Sequence, residues 1–207
     1  MKLAPPIVIT ILRHGAVDGR AQIFRGASDE GLTAKGCAQM QAALVRSLTP
    51  TLSPREREFN IIATSPLRRC HEFAAQYAQK NALPVQVLPC FSELNFGDWE
   101  GLTPNEAAAR NPNEYKAFSA SHGAVSPPNG EALAAFRARI AHGWHDWLQD
   151  DLGERRLLIT HAGVMRGLLM ELFDFTPAQA FQIALPEAAC LRISHLHGHA
   201  PFLMSLN

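Results

Sequence analysis

The segment that most limits the fold is Ile7-Val8-Ile9-Thr10-Ile11-Leu12, a nearly continuous β-branched run. A strand with one wet face alternates apolar and polar residues, whereas an unbroken apolar run fits a strand covered on both faces. Three further runs read as strands: residues 60–64, the weaker 85–88, and 156–160. Helical patterns lie between them. Thr33 can cap a helix whose apolar face reads Cys37, Met40, Leu44 and Leu48. Ser65 and Pro66 suit the N-cap and first position of a helix with Leu67, Cys70, Ala74 and Tyr77 facing inward. Asn129-Gly130-Glu131 opens a helix bearing Leu133, Phe136, Ile140, Trp144 and Trp147, and another helix runs through Met165, Leu168, Leu169 and Leu172. Residues 188–194 and 201–206 read as a strand hairpin. Alternating strands and helices predict an α/β fold with a largely parallel central sheet.

At 207 residues the chain is expected to form a single domain, 1–207, with a full core that needs no disulfide or metal. Residues 53–58 read as a solvated connection. Residues 95–128 carry Gly, Pro and Asn breakers with helical pieces near 106–110 and 113–119, and are a candidate lid or specificity segment. The formal net charge is zero, which argues against a general nucleic-acid surface; any anion must be caught by a local cluster. Cys37, Cys70, Cys90 and Cys190 are widely spaced, with no Cys-x-x-Cys pair, and read as core thiols of a reducing cytosol. The apolar run after Lys2 is too short for a signal peptide or a membrane span, so a cytoplasmic protein is expected.

The chemistry-bearing residues sit at strand ends. Arg13 and His14 follow the first strand, Arg68 and Arg69 follow the second, Glu93 comes after the third, and His161 follows the fourth. Open α/β sheets bind ligands beyond the carboxyl ends of their strands. Parallel neighbours would bring two histidines, two or more arginines and a carboxylate to one pocket. Arginines in a first helical turn oppose the helix dipole, and a bound phosphate reverses that sign. One of the pair, Arg68 or Arg69, is expected to be merely exposed.

Five segments occur in a fixed order: Leu12-Arg13-His14-Gly15; Gly26-Ala27-Ser28-Asp29-Glu30-Gly31-Leu32-Thr33; Ala63-Thr64-Ser65-Pro66-Leu67-Arg68-Arg69; Glu93-Leu94-Asn95-Phe96-Gly97-Asp98-Trp99-Glu100-Gly101; and Thr160-His161-Ala162-Gly163-Val164. In this order they resemble the histidine phosphatase superfamily, also called phosphoglycerate mutase-like, over about residues 7 to 170. The resemblance implies a three-layer sandwich with helices on both faces of the sheet. It implies a metal-independent phosphomonoesterase acting through a phosphohistidine, with no cofactor, no nucleic-acid partner and no membrane partner, as a monomer or homodimer.

On that resemblance His14 matches the nucleophile, Arg13 and Arg69 the phosphate clamp, His161 the second histidine and Glu93 the general acid. A protonated His161 would share the phosphoryl charge with the arginines. Gly15 and Gly163 would let the backbone approach the phosphate. Gly26 and Arg20 complete the expected substrate-binding set. The stretch 93–101 is closer to the phosphatase branch than to the glycolytic mutases and is similar to the α-ribazole-phosphate phosphatases. Phosphoglycerate mutase chemistry and a catalytically weak regulatory or binding member are the alternatives.

The sequence departs from the family at Val17, where a hydroxyl is usual, and at Arg20, which could compensate with charge. Phe73 and Cys70 replace other common residues; Cys70 reads as an inert core thiol. His195, His197 and His199 alternate but lack a matching carboxylate or cysteine, and read as a solvated strand and turn. Phe24, Phe96, Trp99, Tyr115 and Phe118 are candidate substrate contacts or core residues.

Overall fold

The computed structural model of the chain describes residues 5–47 and 58–207. The expected inward Leu48 and residues 53–57 of the expected connection lie outside the described residues. Strand β1 (Ile7–Arg13) leads to helix α1 (Ala34–Ser47); β2 (Ile61–Thr64) is followed by α2 (Arg68–Asn81), and β3 (Val85–Val87) comes next. Two short helices, α3 (Pro104–Arg110) and α4 (Pro112–Ala120), precede the long α5 (Leu133–Gln149). Then come β4 (Arg155–Thr160), α6 (Ala162–Phe173), α7 (Pro177–Phe181), β5 (Cys190–His195) and β6 (Phe202–Leu206). The strands form one sheet in the order β3-β2-β4-β1-β5-β6. The first four are mutually parallel, and β5 and β6 close one edge as an antiparallel hairpin.

The strand alternation builds two cores. Ile9, Ile11, Ile61, Ala63 and Leu158 point to the face covered by α5 and α6, where Phe136, Ile140, Trp144, Leu168 and Leu169 meet them. Leu12, Ile62, Leu157 and Ile159 point to the opposite face, against Met40 and Leu44 of α1 and Phe73 and Ala74 of α2. This is the three-layer sandwich, and it explains why the central strands read as unbroken apolar runs. A third, smaller core of Trp99, Ala107 and Phe118 holds the 95–128 segment together, with Phe24 and Phe96 packed on it. Among the described residues no helix is long and apolar enough to cross a membrane.

Two local expectations change. Thr33 does cap α1, accepting from the Gly36 amide at 2.9 Å. Ser65 does not cap α2, which begins at Arg68 after an extended Leu67. The cap comes instead from Asp29, whose carboxylate accepts from the Arg68 amide at 2.7 Å. A distant loop satisfies that helix end, so local sequence could not show it. The five-residue α7 was not expected; Thr176 and Gln179 close it with a capping box.

Candidate active site

The sheet order brings the strand ends together. The His14 amide donates to Thr160 O at 2.9 Å and the Ser65 amide to Ile159 O at 3.0 Å, so the ladder continues one residue past the strands. Because β4 lies between β1 and β2, His161 sits between His14 and Ser65. The two imidazole centroids are 5.4 Å apart. Glu93 arrives beside them through a 3₁₀ turn, Pro89–Phe91, after β3.

His14 is 6% exposed. Its Nδ1 lies 2.9 Å from Gly15 O, an acceptor only, so Nδ1 carries the proton and Nε2 keeps its lone pair. Burial, reinforced by the Arg13 and Arg69 charges, pushes the His14 pKa down to about 3. At neutral pH it is an uncharged imidazole with one free nitrogen.

His161 is fully buried. Arg69 Nε donates to its Nδ1 at 3.2 Å, and its Nε2 therefore carries the hydrogen, donated to Ser65 Oγ at 2.8 Å. Burial and the Arg69 charge hold its pKa well below the ordinary value. The expected protonated His161 is thus corrected: the neighbours here select a neutral tautomer. Arg69 is fully buried, and its two terminal nitrogens donate to Ser28 O at 2.5 Å and Gly26 O at 2.7 Å. Arg68 is the exposed member of the pair, bonded to Glu72 at 2.7 Å. The Cys70 thiol lies against Thr160 O, and burial pushes its pKa upward, as fits an inert thiol.

The Glu93 carboxylate accepts the Leu94 amide at 2.9 Å and the Gly163 amide at 3.0 Å. Burial outweighs those donors and the two arginines, and raises its pKa. The glycines have reasons other than phosphate approach. A Cβ at Gly163 would lie 2.0 Å from Glu93 Oε1, one at Gly15 2.2 Å from Gly36 O, and one at Gly26 2.0 Å from Leu94 O. Each permits a contact between segments of the site.

Arg13, His14 and Glu93 open on a cavity of about 250 Å³, while the fully buried Arg69 and His161 lie behind its lining. Arg13, His14, Glu93 and Gly163 line one part, and Phe24, Phe96, Phe118 and Phe181 line another. A family profile described as histidine phosphatase superfamily (branch 1) matches residues 9–207. The chain belongs to the histidine phosphatase superfamily. It is 27% identical over 171 residues to the adenosylcobalamin/alpha-ribazole phosphatase of Escherichia coli, covering 82% of this chain and 80% of that one. It is 29% identical over 178 residues to a 2,3-bisphosphoglycerate-dependent phosphoglycerate mutase of Brucella anthropi, covering 83% and 84%. At 27% identity it spans about half the length, 51%, of longer mycobacterial relatives. The alpha-ribazole phosphatase structure from Shigella flexneri shares the fold, with a TM-score of 0.81 at 23% identity over 97% of this chain and 96% of that one.

In this histidine phosphatase superfamily member, Arg20 is not part of the cavity. It is exposed and bonded to Glu106 at 2.8 Å, so it does not replace the hydroxyl missing at Val17. Val17 instead pairs through its backbone with Leu32. Trp99 and Tyr115 belong to the packing behind the cavity wall. Sequence reading missed Ser65 as the His161 partner, because its place before a proline looked like a cap. It also missed Arg139, which grips the turn that carries Glu93. Arg139 donates to Cys90 O, Ser92 O and Glu93 O at 2.7, 2.8 and 3.1 Å, and is held by Glu131 at 2.7 Å. The pair Glu131 and Arg139, eight residues apart with Glu131 just before α5 and Arg139 on it, was the available signal.

The buried histidines give this family member an acid liability. The unfolded His14 imidazole titrates near 6.5 and the folded one near 3, so the unfolded state binds more protons between these values. Stability contributed by neutral His14 is present above pH 6.5 and falls by about 1.4 kcal/mol per unit as pH drops below it. His161 acts in the same direction. Glu93, raised by burial, acts oppositely, its share being lost as pH rises above the unfolded carboxyl value. Urea denaturation at pH 5 is expected to show about 2 kcal/mol less stability than at pH 7. A smaller loss is expected in His14→Ala; equal losses in both would contradict a neutral buried His14.

Proposed function

We propose that this chain hydrolyses the phosphomonoester of a small metabolite through a phosphohistidine on His14. The observation that carries the reading is the single free nitrogen of His14, Nε2, in a cavity shared with Arg13 and the protonatable Glu93. In the first step Nε2 attacks phosphorus, the P–N bond forms and the P–O ester bond breaks. Glu93 gives its proton to the departing oxygen. In the second step the Glu93 carboxylate takes a proton from water, the water oxygen attacks phosphorus, and the P–N pair returns to His14. Arg13 and Arg69 stabilise the charge on the phosphoryl oxygens. The buried Arg13 Nε has no hydrogen-bond partner among the described residues, and a phosphoryl oxygen supplies one.

α-Ribazole 5′-phosphate, the substrate class in the Escherichia coli relative's name, is a ribosyl ester and serves as the comparison substrate in an activity screen. The Brucella anthropi relative supports a second reading, mutase-type transfer to a sugar acid. Rapid quenching with phosphorus-labelled p-nitrophenyl phosphate is expected to trap acid-labile, base-stable label on His14. Absence of label with turnover intact would reject the phosphohistidine. Isomerisation of 3-phosphoglycerate, primed with its bisphosphate, faster than phosphate release would favour the mutase reading.

A further inference from the structure

We propose that the leaving group taken by this site is a small, mainly apolar alcohol of one or two rings, not a sugar or a peptide side chain; this rests on the phosphatase reading above. Beyond the reacting groups, the cavity wall is built from Phe24, Phe96, Phe118, Phe136, Met170 and Phe181. Among the described residues no serine, threonine, tyrosine, asparagine, glutamine or lysine lines it. A hydroxyl-rich leaving group would therefore lose its water bonds and find only the arginines of the wall as side-chain replacements there.

The two other arginines of the wall are only partly engaged by the protein. Arg25 donates to Arg20 O at 2.6 Å and lies 3.4 Å from the Glu30 carboxylate. Arg166 lies over the Phe181 ring at 4.9 Å and reaches Ile183 O at 3.4 Å. Each also keeps a buried Nε with no hydrogen-bond partner among the described residues, so the polar side chains that this part of the wall offers are these two arginines. Arg166 also holds Phe181 in place as part of the apolar wall.

The wall is also rigid. Phe24 meets Phe96 at 5.0 Å and stands edge-on to Phe118 at 5.9 Å. Behind them, fully buried Trp99 contacts Phe118 at 5.2 Å and is anchored by its indole N–H to Asn111 Oδ1 at 3.0 Å. Preformed aromatic faces of this kind accept a ring without a reordering cost. At about 250 Å³ the cavity is smaller than the roughly 300–1,000 Å³ of sites for drug-sized ligands, which sets the limit of one or two rings.

The test compares benzyl phosphate with glycerol 3-phosphate and 3-phosphoglycerate on the intact protein. All are esters of alcohols, so leaving-group chemistry differs little and recognition decides. Each buried, unpaired hydroxyl is worth about tenfold, so kcat/KM is expected to be about 100-fold higher for benzyl phosphate than for glycerol 3-phosphate. Phe181→Ala, at a half-exposed position that the fold tolerates, is expected to reduce that preference about tenfold. Equal rates, or a preference for either polar ester, would overturn the inference while leaving the phosphatase reading in place. A preference for 3-phosphoglycerate would instead assign Arg166 or Arg25 to its carboxylate. Loss of turnover on every ester, with no label on His14, would overturn both.

Discussion

Replacing His14 by alanine is expected to lower kcat for p-nitrophenyl phosphate by at least about 10⁴-fold, the scale of losing a nucleophile that acts as one unit with its partners. No neighbour can take over. The Nδ1 lone pair of His161 is covered by Arg69, and its Nε2 carries the hydrogen donated to Ser65. The Cys70 thiol is buried and held protonated. The variant should also fail to acquire label in the quench experiment. Circular dichroism and a urea melt show whether it folds. Turnover at the wild-type rate in a folded His14→Ala protein would remove His14 from the mechanism.

The second large effect is expected at Glu93. Positioned proton transfer contributes roughly 10²–10⁴-fold. Glu93→Gln should therefore lose about that much kcat/KM on benzyl phosphate, whose alkoxide needs a proton. On p-nitrophenyl phosphate, whose phenolate departs unaided, kcat/KM, which excludes the later hydrolysis of the phosphohistidine, should fall about tenfold or less. The pH profile supplies the independent readout. Burial raises the Glu93 pKa, and the acid form is the one required. Wild-type kcat/KM on benzyl phosphate should fall as pH rises through that raised value. His14, neutral down to about pH 3, adds no acid limb in the working range. The alkaline limb should vanish in Glu93→Gln. Equal losses on both esters, or a limb that persists in the variant, would show that Glu93 positions rather than protonates.

Much of this arrangement is visible in the chain as written. The run of residues 7–12 carries apolar side chains on both faces of the pleat, broken only by Thr10, and a strand with helices on both sides accounts for it. Arg13, His14, Glu93 and His161 each stand just past an apolar run, and a parallel sheet puts such positions at one end. Their convergence follows from strand direction alone. The misreadings have a common cause. Ser65 looked like a cap because its local signal, a serine before a proline, is a cap signal; its hydroxyl is instead drawn to His161 from across the sheet. Asp29 caps a helix 39 residues later, a pairing that local patterning does not encode. Gly15, Gly26 and Gly163 were recognisable as tight points, but what crowds them is Gly36, Leu94 and Glu93, each from another segment.

The apolar run before Arg13-His14, the order of five motifs and the strand-end positions are properties of one dimension. By themselves they determined the α/β class, the family and the strand-end placement of Arg13, His14 and His161. Protonation and recognition needed three dimensions. His161 is neutral because burial and Arg69 act on it together, and Arg20 is outside the cavity because Glu106, 86 residues away, holds it. The phenylalanines that line the cavity come from residues 24, 96, 118, 136 and 181. Burial and charge–charge interaction depend on distance through space, so folding alone decided the charge states at the site and the chemistry of its wall.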